Sequence, residues 1–288
     1  MKKIFVTGSV NTDFVISAPY MPVGGETLTG GGFFMAKGGK GANQAVAARR
    51  LGGDIAMCAC VGDDLFGLET LKAFQEEGID VTHIRTVAGV ATGTAVIVVI
   101  DGENRIILDK GANACLTKED IDGFLADAKE GDIYLTQLEN PIEVIGYGLK
   151  KAKEKGMYVV LNPAPANTDI RPYLCYCDLI TPNETELEIL GGKQEILDKT
   201  NAKLLVTLGS KGYSIQTKEG EKNYPCIKVK AVDTTAAGDT LSGGLCAKLA
   251  QGESLEVSAA FGSKAASIAC TRKGAQPSIP ALEEVGNY

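Results

Sequence analysis

A chain of 288 residues, 44 % of them hydrophobic and 23 % charged, is long enough to bury a large core. Its formal net charge of -7 supplies no general electrostatic footprint for nucleic acid or an anionic membrane, so neither is expected as a partner. Apolar runs stay below the ~18 residues of a membrane span, and no basic start leads into an apolar signal segment, so the chain reads as cytosolic.

In chain order, short apolar runs alternate with amphipathic stretches, the pattern of strands joined by crossover helices in a mainly parallel sheet. KKIFVTG (2–8) is the first strand candidate and DIAMCACVG (54–62) the next main one. In LFGLETLKAFQEEG, Leu68, Leu71 and Phe74 recur at helical spacing and Gly78 suits a stop. DIYLTQLE (132–139) is a strand, and PIEVIGYGLKKAKEKG closes a helix with lysines and Gly156. MYVVLN (157–162), CDLITPN (177–183) and KLLVTLG (203–209) complete the strand set.

Two segments break this rhythm. Residues 13–36 and 92–113 are strand-like without helices, and the second turns at Asp101-Gly102 as a hairpin would. They are expected to pair as a small antiparallel β flap, or lid, over one end of the main sheet, within one α/β domain spanning 1–288. Eight cysteines form no CxxC pair; the CxC pairs Cys58/Cys60 and Cys175/Cys177 would put both sulfurs on one strand face, which reads as buried reduced thiols rather than zinc ligands.

Motifs for familiar nucleotide chemistry are missing. Lys40 is followed by Gly41, so no GxxxxGK[ST] loop forms, and neither GGKGANQ nor GSVNTD supplies GxGxxG. His83 is the only histidine and has no partner pattern for a nucleophile or a metal. The stretch VDTTAAGDT (232–240) is more telling: it is a loop entering a helix, and small Ala236, Ala237 and Gly238 let backbone N–H groups approach an anion where the helix dipole is positive. Asp239 at its edge is then placed to take a proton from a hydroxyl attacking a bound phosphate. From this string alone, an acid that only complements the dipole remains an equal alternative. In TPNETE, Thr181 and Glu184 fit a capping box with Pro182 at the first helical position, leaving Asn183 and Glu186 without a structural task.

Seven motifs in order, GSVNTD, GGKGANQA, NPAPA, TPNETE, TLGSKG, DTTAAGD and TRKGAQPS, span nearly the whole chain, and together they resemble the ribokinase family of sugar kinases. The resemblance implies a ribokinase-like α/β fold and ATP-dependent phosphorylation of the primary hydroxyl of a pentose, D-ribose foremost. Related acceptors (deoxyribose, a ketose, a ketodeoxy sugar acid, a nucleoside) and a non-enzymatic sugar sensor are the alternatives. By resemblance, Asn11, Asp13, Gly38, Gly39, Lys40, Asn43 and Glu139 bind sugar, Asp239 is the base, and Ala236 to Gly238 form the anion hole. Asn183, Thr207, Gly209, Ser210, Lys211, Gly212, Gly238, Asp239 and Ser263 would line the ATP site, Ser263 standing where many relatives place histidine near adenine. Glu186 would hold Mg²⁺ through water. Asp233, Thr235, Ala269, Arg272, Gly274 and Ser278 would surround an activating K⁺, mostly through carbonyls. A homodimer through the lid strands is also implied.

Overall fold

The computed structural model describes residues 1–287. In chain order the elements are β1 (Ile4–Thr7), β2 (Asn11–Ser17), β3 (Gly31–Gly38), α1 (Lys40–Arg50), β4 (Ile55–Gly62), α2 (Leu65–Glu76), β5 (Asp80–Val87), β6 (Gly93–Ile100) and β7 (Glu103–Asp109). There follow α3 (Lys118–Phe124), β8 (Ile133–Thr136), α4 (Ile142–Glu154), β9 (Tyr158–Leu161), β10 (Leu179–Ile180), α5 (Glu184–Ile189) and α6 (Gly192–Lys199). The chain ends with β11 (Lys203–Thr207), β12 (Tyr213–Thr217), β13 (Gly220–Tyr224), α7 (Ala237–Ala250), α8 (Leu255–Ala269) and α9 (Leu282–Asn287).

Nine strands form the main sheet in the order β13-β12-β11-β10-β9-β8-β1-β4-β5, parallel from β11 to β5 and antiparallel at β12 and β13. Side-chain alternation assigns its two cores. On β4, Ile55, Met57, Ala59 and Val61 join one apolar cluster, while Ala56, Cys58 and Cys60 join the other. Both faces are covered, which is why these strands read as continuous apolar runs. Every main-sheet strand expected from the sequence is present but shorter. The 177–183 run keeps only Leu179–Ile180, because a 3₁₀ turn (Thr168–Tyr176) precedes it and Pro182, lacking an N–H, follows. The turn also corrects the second CxC expectation: Cys175 lies on it, exposed, and only Cys177 is buried.

The flap is a separate four-stranded sheet, β3-β2-β6-β7. Its outer pairs are antiparallel, and the central pair, β2 with β6, runs parallel. The hairpin between β6 and β7 turns at Asp101 and Gly102 with φ of 54° and 81°, the left-handed pair that a type I′ turn requires. Helix ends follow local chemistry: the Asp64 carboxylate accepts from Gly67 N at 2.8 Å to start α2, and α4 closes with Lys151 and Lys153 before Gly156 at φ 74°. Among the described residues, no helix is long and apolar enough to cross a membrane.

One expected cap moves. Helix α5 starts at Glu184, and its capping box is Asn183 with Glu186: Asn183 Oδ1 accepts from Glu186 N at 2.8 Å and Glu186 Oε2 from Asn183 N at 2.9 Å. Thr181 and Glu184 do not form it, because the Pro182 carbonyl accepts from Thr207 N at 2.9 Å, keeping residues 182–183 extended beside β11.

Candidate active site

Strand order reverses between β1 and β8, so their following loops open a crevice at the carboxyl end of the sheet. Ser9 and Glu139 bridge it: Ser9 Oγ donates to Glu139 Oε2 at 2.5 Å, and the same oxygen accepts from Lys40 N at 3.1 Å. Asn11 and Asp13 lie on β2 itself, not in a turn, so their spacing of two puts them on one face. Asn11 Oδ1 accepts from Asn113 Nδ2 at 2.8 Å, and Asn113 Oδ1 accepts from Val10 N. Asp13 is half-buried; burial first, then the charge of Glu139, pushes its carboxyl up to about 6. Gly38 and Gly39 are required by close approach: a side chain at Gly38 would strike the Asp13 carboxylate, and Gly39 has φ 90° over Ser9.

Asp239, buried in the first turn of α7, faces α1. Its Oδ2 accepts from Asn43 Nδ2 at 3.0 Å and its Oδ1 from Gln44 Nε2 at 2.9 Å. The Asn43 carbonyl oxygen is buried and has no hydrogen-bond partner. Ala236 takes the left-handed conformation at φ 60°, so the chain folds into the helix with its N–H groups bunched. Ala237 N donates to Thr234 O at 3.2 Å, whereas the N–H groups of Ala236, Gly238 and Asp239 have no acceptor among the described residues. The open donors of the expected anion cradle are thus the flanking ones.

A cavity of about 250 Å³ joins Asp239 to Lys40, Asn183, Glu186, Thr207 and the 236–238 backbone. Burial lowers the affinity of Lys40 for its proton, but Asp239, Glu139 and Glu186 outweigh this and hold the ammonium above its usual range. Burial, opposed by the Asn183 N–H and Lys40 but aided by Asp239, raises the Glu186 carboxyl. Two carboxylates on one cavity with Lys40 as its lining cation are an oxygen-rich set suited to a hard divalent ion that keeps its waters. Beyond Gly238 lies a second, more apolar cavity of about 510 Å³, lined by Thr207, Gly209, Ser210, Gly212, Cys226, Ile227, Ala266 and Ser263 among others. Lys211 lies exposed in the turn beneath it.

The first acid of the loop has another environment. Asp233 Oδ1 accepts from Thr235 N and Oγ1, and Oδ2 accepts from Gly274 N at 2.9 Å. Burial works against the charged form, but these bonds and Lys273 hold the carboxyl below its usual range. The Cys270 carbonyl ties this loop to the end of α8 by accepting from Val232 N and Asp233 N. Ala269 and Ser278 are buried, the Ser278 hydroxyl donating to the Ala275 carbonyl, and the Arg272 guanidinium pairs with Glu284. With both oxygens fixed by hydrogen bonds, the Asp233 carboxylate is a hard donor of the kind hard cations take.

Residues 1–282 match the pfkB family of carbohydrate kinases. The chain belongs to that family. This carbohydrate kinase is 43 % identical to a ribokinase of Haemophilus influenzae, over 98 % of this chain and 97 % of the relative. It is 36 % identical to a deoxyribokinase of Salmonella typhi, over 99 % and 98 %. The crystal structure of a Thermotoga maritima ribokinase superposes with a TM-score of 0.91 at 38 % identity, covering 100 % of this chain and 99 % of that one. A structure of Arabidopsis thaliana ribokinase complexed with ribose and ATP gives 0.86 at 28 % identity, covering 99 % and 98 %.

Several polar residues of the kinase's crevice carry no individual signal in its sequence: Ser9, Gln44, Asn113, Gln137 and Asn162. Gln44 and Asn162 lie inside family-like motifs, but a buried amide reads the same in sequence whether it fills space or touches a carboxylate. His83, on the edge strand β5, packs edge-on against Phe124 of α3.

Proposed function

We propose that this kinase transfers the γ-phosphoryl group of ATP to the primary hydroxyl of D-ribose, giving ribose 5-phosphate and ADP. The observation that carries the reading is a buried carboxylate, Asp239, held by two amide donors at the mouth of a loop with unbonded N–H groups. Asn11, Asp13, Glu139 and the Gly38–Gly39–Lys40 turn bind the sugar, acceptor carboxylates facing its hydroxyls, and the unpartnered Asn43 side-chain oxygen Oδ1 accepts a further hydroxyl hydrogen bond. Each oxygen of Asp239 accepts one amide bond and keeps a lone pair. One of these removes the proton of the attacking hydroxyl as its oxygen bonds to the γ-phosphorus, and the bridging oxygen leaves with ADP.

Charge growing on the transferring group is met by the open backbone N–H groups of Ala236 and Gly238, on either side of Ala237, and by the Lys40 ammonium. ATP lies along the strand ends, its phosphates toward Asn183 and Thr207 and its base in the larger cavity beside Gly209, Ser210, Gly212 and Ser263, with Lys211 at the rim. Glu186 would hold Mg²⁺ through water, and the ion would supply positive charge near the phosphates. Asp233, Thr235, Ala269, Arg272, Gly274 and Ser278 would hold K⁺, which would supply charge supporting the anion loop. Free thiols at all eight cysteines suit a cytoplasmic setting. We also assign a homodimer built on the flap.

Asp239→Asn keeps the fold and ATP binding and lowers turnover by about 10²- to 10⁴-fold. Unchanged turnover, followed by coupled ADP release, would remove the base from the scheme. The deoxyribokinase relative makes 2-deoxyribose the main competing acceptor; a panel of pentoses, ketoses and nucleosides at equal ATP decides it, with ribose expected to show the highest kcat/KM.

A further inference from the structure

Behind Asp239 a run of buried amides links the N-terminal half of α1 to the carboxyl ends of β8, β9 and β10. Gln44 on α1 is fully buried; its Nε2 sits 2.9 Å from Asp239 Oδ1 and 3.0 Å from Asn162 Oδ1, one hydrogen for each. Its Oε1 accepts from Gln137 Nε2 at 2.6 Å. Asn162 Nδ2 in turn donates to the Thr181 carbonyl at 2.9 Å. We propose that Gln44, oriented by Gln137 and Asn162, is a positioning residue that fixes the catalytic carboxylate of Asp239, and this rests on Asp239 being the base.

The two ends of a side-chain amide are alike in shape, so only its partners decide which way it faces. Here the direction is anchored at an atom that cannot flip. The Thr181 carbonyl only accepts, so the Asn162 nitrogen faces it and the Asn162 oxygen faces Gln44. That oxygen needs a donor, so Gln44 presents its nitrogen, and the same nitrogen serves Asp239. Gln137 complements the order from the far side by donating to the Gln44 oxygen, its own Oε1 having no partner among the described residues. Reversing Gln44 would set its oxygen against two acceptors and leave two N–H groups facing each other, each a buried unsatisfied contact.

The consequence is geometric. With Oδ1 tied to Gln44 and Oδ2 to Asn43, the Asp239 carboxylate cannot turn about its last bond, and its free lone pairs keep one direction. Gln44 has no exposed surface, so substrate does not reach it; it acts through Asp239 alone. Gln137 is one step further removed and bonds Gln44, not Asp239.

The test compares Gln44→Met, Gln137→Met, the double variant and Asp239→Asn in the full-length kinase. Readouts are kcat and KM for ribose and ATP, ATP binding by calorimetry, and Tm. Gln44→Met is expected to lower kcat about 10- to 100-fold, the scale of a displaced reacting group, with both KM values within about twofold. Gln137→Met lowers kcat by a smaller factor, and the double variant is no slower than Gln44→Met, because the two lie in series. Full kcat in Gln137→Met, or losses that multiply in the double variant, would overturn the proposal. If the methionine variants do not fold, Gln44→Glu keeps the shape and replaces the donor: a kcat loss at retained Tm supports the proposal, and full kcat overturns it. Should Asp239→Asn keep its turnover, the base assignment fails and the positioning role with it; if only the glutamine variants keep theirs, the base stands and the positioning role alone is wrong.

Discussion

Asp13 shows how one residue's surroundings become a pH dependence. Its carboxyl sits at about 6 because it is buried beside Glu139, against 3.8 for the free side chain. The folded protein therefore binds this proton more tightly than the unfolded chain. The contribution of Asp13 to stability is greatest below about pH 4 and falls as pH rises to about 6, by on the order of 2–3 kcal/mol at most. For function the sign reverses, since only the ionised group offers two acceptors to a vicinal diol. The ribose KM should rise as pH falls through 6 while the KM for ATP stays flat; Asp13→Asn should raise the ribose KM at every pH and erase that step. A KM for ribose that ignores pH between 5 and 7 in the unaltered protein would contradict this. The motifs mark Asp13 and Asn43 as candidate sugar contacts. The roles of Ser9 and Asn113, which hold Glu139 and Asn11, were not legible, because their partners are 130 and 102 residues away.

At the scale of elements, the site depends on how closely α7 lies against α1. Gly243 makes that approach possible: a side chain there would stand 2.5 Å from Ala47 Cβ and 2.6 Å from Ala48 N, near the backbone of Gln44. Gly243→Ala should cost about 1–3 kcal/mol of stability, the range for overpacking, and should also lower kcat by moving Asp239 away from its amide donors. Denaturant titration and steady-state rates check the two effects, and a loss of stability with an unaltered kcat would separate packing from catalysis. The same scale explains the α5 cap. Capping-box chemistry was readable in TPNETE, but two registers fit it, and the backbone bond from Thr207 to Pro182 selected the later one. Asn183 and Glu186 consequently serve the helix end and the cavity at once.

Across the whole molecule, the flap is the part whose surface is least explained by the monomer. Every residue of β7 is exposed, including Ile106 at 59 % and Ile107 at 64 %, and Phe33, Phe34 and Met35 of β3 are exposed as well. An unpaired edge strand and an apolar surface of this kind favour burial against a second copy. Ile107→Glu is expected to yield a monomer in sedimentation velocity and to raise the ribose KM, since β2 of the flap carries Asn11 and Asp13. A dimer that survives the substitution would move the interface elsewhere.

Alternation along each apolar run and the left-handed preference of Asp101-Gly102 act over a few residues, so the string alone specified six strands of the main sheet, the hairpin, and the acid that follows a small-residue loop, but not β5, β12 or β13. Packing decided the rest. The parallel pairing of β2 with β6 and the bond from Gln44 to Asp239, 195 residues apart, exist only once distant backbones are brought to a fixed separation. Hydrogen bonds reach about 3 Å and depend on angle, so no local pattern encodes which amide meets which carboxylate.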